Sequence, residues 1–177
     1  MFMLRTALVA FALAASTVAE AGTQVLGFEI GVTTIEQLKQ GLSKKTGLEQ
    51  KGANKYSGGE MFETKGGAYD IQGLTRVLYI FDEQKKLAGV VMDMSKERFD
   101  AIHKMLNGKY KVTSQKLPFV GDKFAQFRPS DAFVELDAPH MSFTMEVRYI
   151  RNDLMKKFKD QSSAEATDKR NAEAAKF

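Results

Sequence analysis

Between Leu74 and Tyr110 the hydrophobic pattern changes period once. Leu74 to Phe81 is a run of branched and aromatic residues, Asp82 to Lys86 is polar, and Leu87 to Met94 is apolar again. That pattern predicts two antiparallel strands around a turn. From Phe99 the spacing becomes helical: Phe99, Ile102, Met105 and Leu106 share one stripe, with Ser95 positioned to cap the helix and Asn107-Gly108 to end it. A hairpin therefore feeds a helix whose apolar stripe needs a sheet to lie on.

Upstream, Val25 to Phe28 reads as a short edge strand. Thr33-Thr-Ile-Glu36 has capping-box spacing and opens a helix carrying Ile35, Leu38 and Leu42, ended by Gly47. Gly41 inside it costs roughly 1 kcal/mol against alanine. Glycines break up residues 48 to 73 into weak strands such as Gly59 to Glu63 and Ala68 to Ile71. Downstream, Tyr110 to Leu117, Lys123 to Arg128 and Ala132 to Ala138 read as strands. Met141 to Tyr149 alternates most cleanly, with Met141, Phe143, Met145, Val147 and Tyr149 on one side and Ser142, Thr144, Glu146 and Arg148 on the other.

These elements predict an α+β fold, an antiparallel sheet packed on two helices over residues 22 to 150. Residues 27–94 and 95–149 repeat one order, helix then strands, and so read as a tandem helix-plus-meander plan. The expected core is Ile35, Leu38, Leu42, Val77, Tyr79, Val90, Phe99, Ile102, Leu106, Phe133, Phe143, Met145 and Val147. Residues 151–177 are a charged tail, helical or disordered. Leu154, Met155 and Phe158 can seat one or two helical turns, but beyond Asp160 no apolar stripe continues, so fraying is expected there.

A chain of 177 residues, 44% hydrophobic, holds one well-buried core and is short for two domains. Arg5, the apolar run from Ala7 and Ala19-Glu-Ala21 form a secretory leader, predicted to be cleaved after Ala21. The run falls short of the roughly 20 residues that span a bilayer, so no transmembrane span is expected in the mature chain, whose location is periplasmic or secreted. The chain contains no cysteine, which excludes disulfides, thiolate chemistry and lipidation at a processed cysteine. A net charge of +4, scattered in both signs, is no nucleic-acid signature and allows weak attraction to anionic lipid or cell-wall polymers.

Candidate chemistry is sparse. His103 sits beside the apolar stripe of its helix, as a partly exposed residue would. Asp137 and His140, three apart at a strand end, form a candidate titrating or metal-binding pair; the same residues also fit a turn shaped by Pro139. Met92 with Met94, and Met141 with Met145, share strand faces. Thioether clusters suit Cu(I), and methionine equally fills irregular cores. Asp70, Asp82 and Asp93 stand, like Asp137, at or near strand ends, where turns place carboxylates.

Gly31-Val-Thr-Thr-Ile-Glu-Gln-Leu-Lys39, followed by strands of the kind Val77 to Asp82 and Lys86 to Val90, resembles a group of small secreted bacterial α/β modules. These are similar to β-lactamase inhibitory proteins and to the small accessory lipoprotein of the outer-membrane assembly machine. The resemblance spans residues 27 to 149. It implies a helix packed on an antiparallel sheet, sometimes twice in tandem, whose sheet face or loops bind another protein. The chain departs from the pattern in having no lipidation cysteine, and no inhibitor loop carries over. The expected function is a non-catalytic binding protein contacting a protein, lipid or glycan of the cell envelope, with no cofactor. The alternatives are a carboxylate/histidine hydrolase or isomerase, a methionine-rich Cu(I)-binding protein and an envelope structural factor.

Overall fold

The computed structural model describes residues 22–176, so the predicted leader lies outside the described residues. The fold is α+β. Gln24–Val25 (β1) and Phe28–Glu29 (β2) pair around Leu26 and Gly27, both at positive φ, and form a two-stranded hairpin separate from the main sheet, where a single edge strand was expected.

Helix α1 (Ile35–Leu42) buries Ile35, Leu38 and Leu42 as its spacing predicts. Its capping box starts one residue later than expected. Thr34 Oγ1 accepts from the Gln37 amide at 3.2 Å and Gln37 Oε1 accepts from the Thr34 amide at 2.8 Å. Thr33 is drawn away because its hydroxyl accepts from the Glu29 amide at 2.8 Å and its carbonyl from the Leu87 amide at 2.8 Å. Gly41 has a packing reason: a Cβ there would stand 3.0 Å from the Phe28 ring.

Four strands follow: β3 (Glu49–Ala53), β4 (Gly58–Lys65), β5 (Leu74–Asp82) and β6 (Leu87–Ser95). Gly66–Tyr69, part of which was expected as a strand, is instead a 3-10 turn. There a Cβ on Gly66 would lie 2.3 Å from the Leu74 carbonyl oxygen, a backbone approach that only glycine permits. After a second 3-10 turn at Lys96–Arg98 comes α2 (Phe99–Lys109). Ser95 does not cap it. That residue stays in β6 opposite Thr144, its amide bonded to the Gly73 carbonyl at 2.8 Å, and no side chain caps α2. Phe99, Ile102 and Leu106 are buried, whereas Met105 is 59% exposed, because only the narrower arc reaches the sheet. Gly108 lies inside the helix, which ends when Tyr110 turns extended.

The second half adds β7 (Lys111–Lys116), β8 (Lys123–Arg128), β9 (Ala132–Ala138) and β10 (Thr144–Arg151). The eight strands form one antiparallel sheet in the order β3-β4-β5-β6-β10-β9-β8-β7. Each half is thus a helix followed by a four-stranded meander, and the meanders join along β6 and β10, where Val90 faces Tyr149, Met92 faces Val147 and Met94 faces Met145. The predicted alternation holds from Met145 onward. Before Thr144 it fails: β6 has already turned away at Ser95, no neighbouring strand remains, and Phe143, expected in the core, is 95% exposed.

One sheet face packs against α1, α2 and the N-terminal hairpin, in a core that includes Leu38, Tyr79, Phe81, Val90, Phe127 and Val147. The outer face carries a smaller cluster, Ile80, Ala88 and Ile150, under Leu154 of α3 (Asn152–Ala174). This helix continues well past Asp160, where fraying was expected. Beyond Asp160 it buries no residue, but a Gln161–Glu165 pair one turn apart and the Lys55–Glu165 contact to the body at 3.1 Å support it. No helix among the described residues is long and apolar enough to cross a membrane.

Arg151 anchors the start of α3, bonding both Asp153 oxygens at 2.6 and 2.8 Å and Asp82 at 2.8 Å. Its hydrogen bonds hold the Asp153 carboxyl below the usual carboxylate range. The unfolded chain therefore takes up that proton first on acidification. The pair's contribution is complete above the unfolded value of about 3.9 and is lost as pH falls through the lower folded value. Arg151→Met is expected to cost up to about 1 kcal/mol at neutral pH. Urea midpoints of variant and parent should then converge as pH falls through the lowered folded value; a gap that persists undiminished in acid would contradict this account.

Candidate binding cleft on the outer sheet face

Outward-facing residues of the central strands divide into an apolar zone and an ionic one, because side chains of neighbouring strands line up across the sheet. Toward α3 the row runs Met61, Ile80, Ile150 and Phe133, with Gly89 between Ile80 and Ile150. Farther along the same strands come Arg76 opposite Asp93, Asp93 opposite Glu146, and Glu146 opposite Asp137. Arg76 Nε bonds Asp93 Oδ2 at 2.6 Å and its Nη1 reaches Glu63 at 3.0 Å, which holds the Glu63 carboxyl below its usual range.

Arg148 binds three carboxylates: Glu146 through Nε at 2.7 Å, Glu135 through Nη1 at 2.5 Å and Asp137 through Nη2 at 3.4 Å. Burial works against its charge, and Glu146 and Glu135 more than restore it, so its pKa is raised. Across β6, β10 and β9 the three acids Asp93, Glu146 and Asp137 stand side by side, and like charges directly opposite repel. The two arginines hold this lattice together.

Helix α3 roofs the apolar zone. Asn152 fixes its start, donating through its amide to the Asp131 carbonyl at 3.1 Å and through Nδ2 to the Ser130 carbonyl at 3.1 Å, and accepting from Arg128 at 3.2 Å. Nearly two turns on, Phe158 meets the Tyr56 ring edge to face at 4.9 Å. Between roof and sheet lies a cleft of about 490 Å³, walled by Tyr56, Ile80, Phe133, Ile150, Leu154, Met155 and Phe158, with Asn54, Gln126, Glu135, Arg148 and Lys159 at its rim. Most of the rim is internally satisfied. Asn54 Oδ1 accepts from the Tyr56 and Ser57 amides at 2.9 and 3.0 Å, and Gln126 donates to Glu135 at 3.0 Å.

The residues singled out from the sequence do not converge. Asp137 points into the Arg148 lattice, while His140 is exposed in the β9–β10 turn, where its amide donates to Asp122 at 2.7 Å. Met92, Met94 and Met145 are buried in the inner core, and Met141 is 92% exposed. His103 stacks on Phe99 and bonds Gln115 at 3.1 Å. Asp82 closes its own turn, accepting from the Gln84 and Lys86 amides at 3.0 and 2.9 Å. Among the described residues no three His, Asp or Glu side chains converge where they could hold a metal ion.

Sequence reasoning missed the cleft, although its roof left a signal in the short apolar turn of Leu154, Met155 and Phe158. A second exposed feature gave none. Phe119 and Val120 on the β7–β8 loop, and Met141 and Phe143 on the β9–β10 loop, project into solvent at one end of the sheet. In comparisons with known proteins the chain matches no family model, no curated protein and no solved structure.

Proposed function

We propose that this is a non-catalytic binding protein of the cell envelope, periplasmic or secreted, that takes the apolar part of a ligand into the cleft beneath α3. The carrying observation is the cleft itself. Its volume of about 490 Å³ falls in the range of roughly 300–1,000 Å³ usual for ligand sites, and its walls are apolar with a few convergent polar groups. The carboxylates nearest it are engaged by Arg148 and Gln126, an arrangement suited to rigidity rather than proton transfer. The predicted leader supports the location. The resemblance to secreted modules that bind through a sheet face supports the binding role.

The chain contains no tryptophan, so Met155→Trp places a lone reporter on the cleft wall. Titration with hexanol, octanol and decanol is expected to give saturable blue shifts. Affinity should rise up to about fourfold per methylene, the equivalent of ~0.8 kcal/mol. Adding Ile80→Phe should weaken decanol binding about tenfold by filling the floor. A response that never saturates, or one indifferent to Ile80→Phe, would remove the cleft as the binding site.

A further inference from the structure

We infer that the ligand of this cleft is an anionic amphiphile whose head is held by Arg128 and Lys159 at the Phe133 end. This rests on the cleft being the binding site. The observation behind it is an imbalance of charge at the cleft mouth. Three basic side chains around α3 already have a carboxylate: Arg151 has Asp82 and Asp153, Lys156 has Asp160, and Lys55 has Glu165. Arg128 and Lys159 have none among the described residues. Both instead approach one aromatic ring, the Arg128 guanidinium 5.9 Å and the Lys159 ammonium 5.6 Å from the Phe133 centroid.

A ring quadrupole orients a cation without cancelling its charge. Phe133 therefore holds two positive groups beside an apolar cleft and leaves both able to take an anion. The guanidinium is fixed further by its hydrogen bond to Asn152 Oδ1 at 3.2 Å. The carboxylate on the cleft lining does not supply the missing counter-charge, since Glu135 is bonded on one oxygen by Arg148 and on the other by Gln126. The surplus acids Glu146 and Asp137 lie four residues farther along their strands from Ile150 and Phe133. An acyl or alkyl chain on Ile80, Ile150 and Phe158 would thus run out to a head facing Arg128 and Lys159. A guanidinium fork and an ammonium accept either a carboxylate or a phosphate there.

The test compares decanol, decanoate and decyl phosphate on the Met155→Trp protein, each kept below its aggregation threshold. At low salt the anions are expected to bind about tenfold tighter than decanol, an advantage that molar salt removes because both cations are exposed. The tighter of the two anions identifies the head as a fatty-acid carboxylate or a lipid phosphate. Arg128→Gln and Lys159→Gln should each lower the anions' affinity about threefold, and together abolish their advantage, with decanol binding unchanged as the control for an intact fold. Decanol binding as tightly as the anions would overturn this inference while leaving the cleft in place. Tighter binding of decyltrimethylammonium would overturn it in favour of a cation held by Glu135. No saturable binding of any probe would remove the cleft reading and this inference together.

Discussion

Phe127→Ala is expected to destabilise the protein by about 3–5 kcal/mol, and to do so in both halves at once. Phe127 is completely buried on β8, paired across the ladder with Val112 and Val134, and its ring lies 5.7 Å from that of His103 on α2. Truncation leaves a cavity bounded by three strands and a helix, which the ladder prevents from collapsing. All of these neighbours belong to the second half. The damage should nevertheless spread, because the meanders share seven paired positions along β6 and β10 and one apolar cluster that includes Leu38 and Phe81 from the first half and Phe127 and Leu136 from the second. Thermal unfolding should therefore remain a single transition, lowered by roughly 6–20 °C. Amide exchange in β4 and β5, remote from the substitution, should accelerate by the same free energy as exchange in β8. Unchanged protection in β4 and β5 would mean that the halves unfold independently.

The elements that the sequence reveals are those in which one local signal dominates. The β5–β6 hairpin, the Ile35, Leu38 and Leu42 stripe of α1 and the Met145, Val147 and Tyr149 face each announce themselves through an unbroken period and are found where expected, although α1 stops at Leu42, short of Gly47. The errors arise where a distant partner decides. Thr33 and Thr34 are equivalent N-cap acceptors on paper, and the choice falls to Thr34 because Thr33 already accepts from Glu29 and Leu87. Phe143 continues a faultless alternation, yet a strand extends only as far as its neighbour, and β6 ends at Ser95. Ser95 has the right side chain for a cap, but the ladder to Thr144 and the Gly73 carbonyl claims its backbone. The far half of α3 lacks an apolar stripe, and a contact that propensity does not record, Lys55–Glu165, ties it to the body.

The same distinction governs the candidate site. Asp137 and His140 are near in sequence and serve different structures, while Arg148 looks like one more wet position on an alternating strand and turns out to join three carboxylates from two strands. Cross-strand register creates that site, and register is invisible until the pairing is known. The cleft has a similar origin, since its roof and floor meet only because α3 folds back across the strand that precedes it.

Arg148→Met is the substitution on this face with the largest expected effect. It keeps the aliphatic stem that lines the cleft and removes the charge shared by Glu135, Glu146 and Asp137. Three carboxylates are then left within reach of one another, with Glu146 directly opposite both Asp93 and Asp137. Loss of one partner from a fully buried pair costs about 3–5 kcal/mol. Arg148 retains 31% exposure, so solvent screens part of that and about 2 kcal/mol is expected. The cause can be told apart from lost packing, because repulsion is screened and a cavity is not. Molar salt, with a Debye length of about 3 Å, should restore a large part of the loss. Arg148→Lys should recover less than half, since an ammonium cannot hold three carboxylates in the fixed geometry of the guanidinium. Glu146→Gln in the Arg148→Met background should recover more, by removing the acid that faces two others. If the loss were indifferent to salt and unrelieved by Glu146→Gln, Arg148 would be acting through its packing alone. The charge lattice would then have no part in holding the cleft floor.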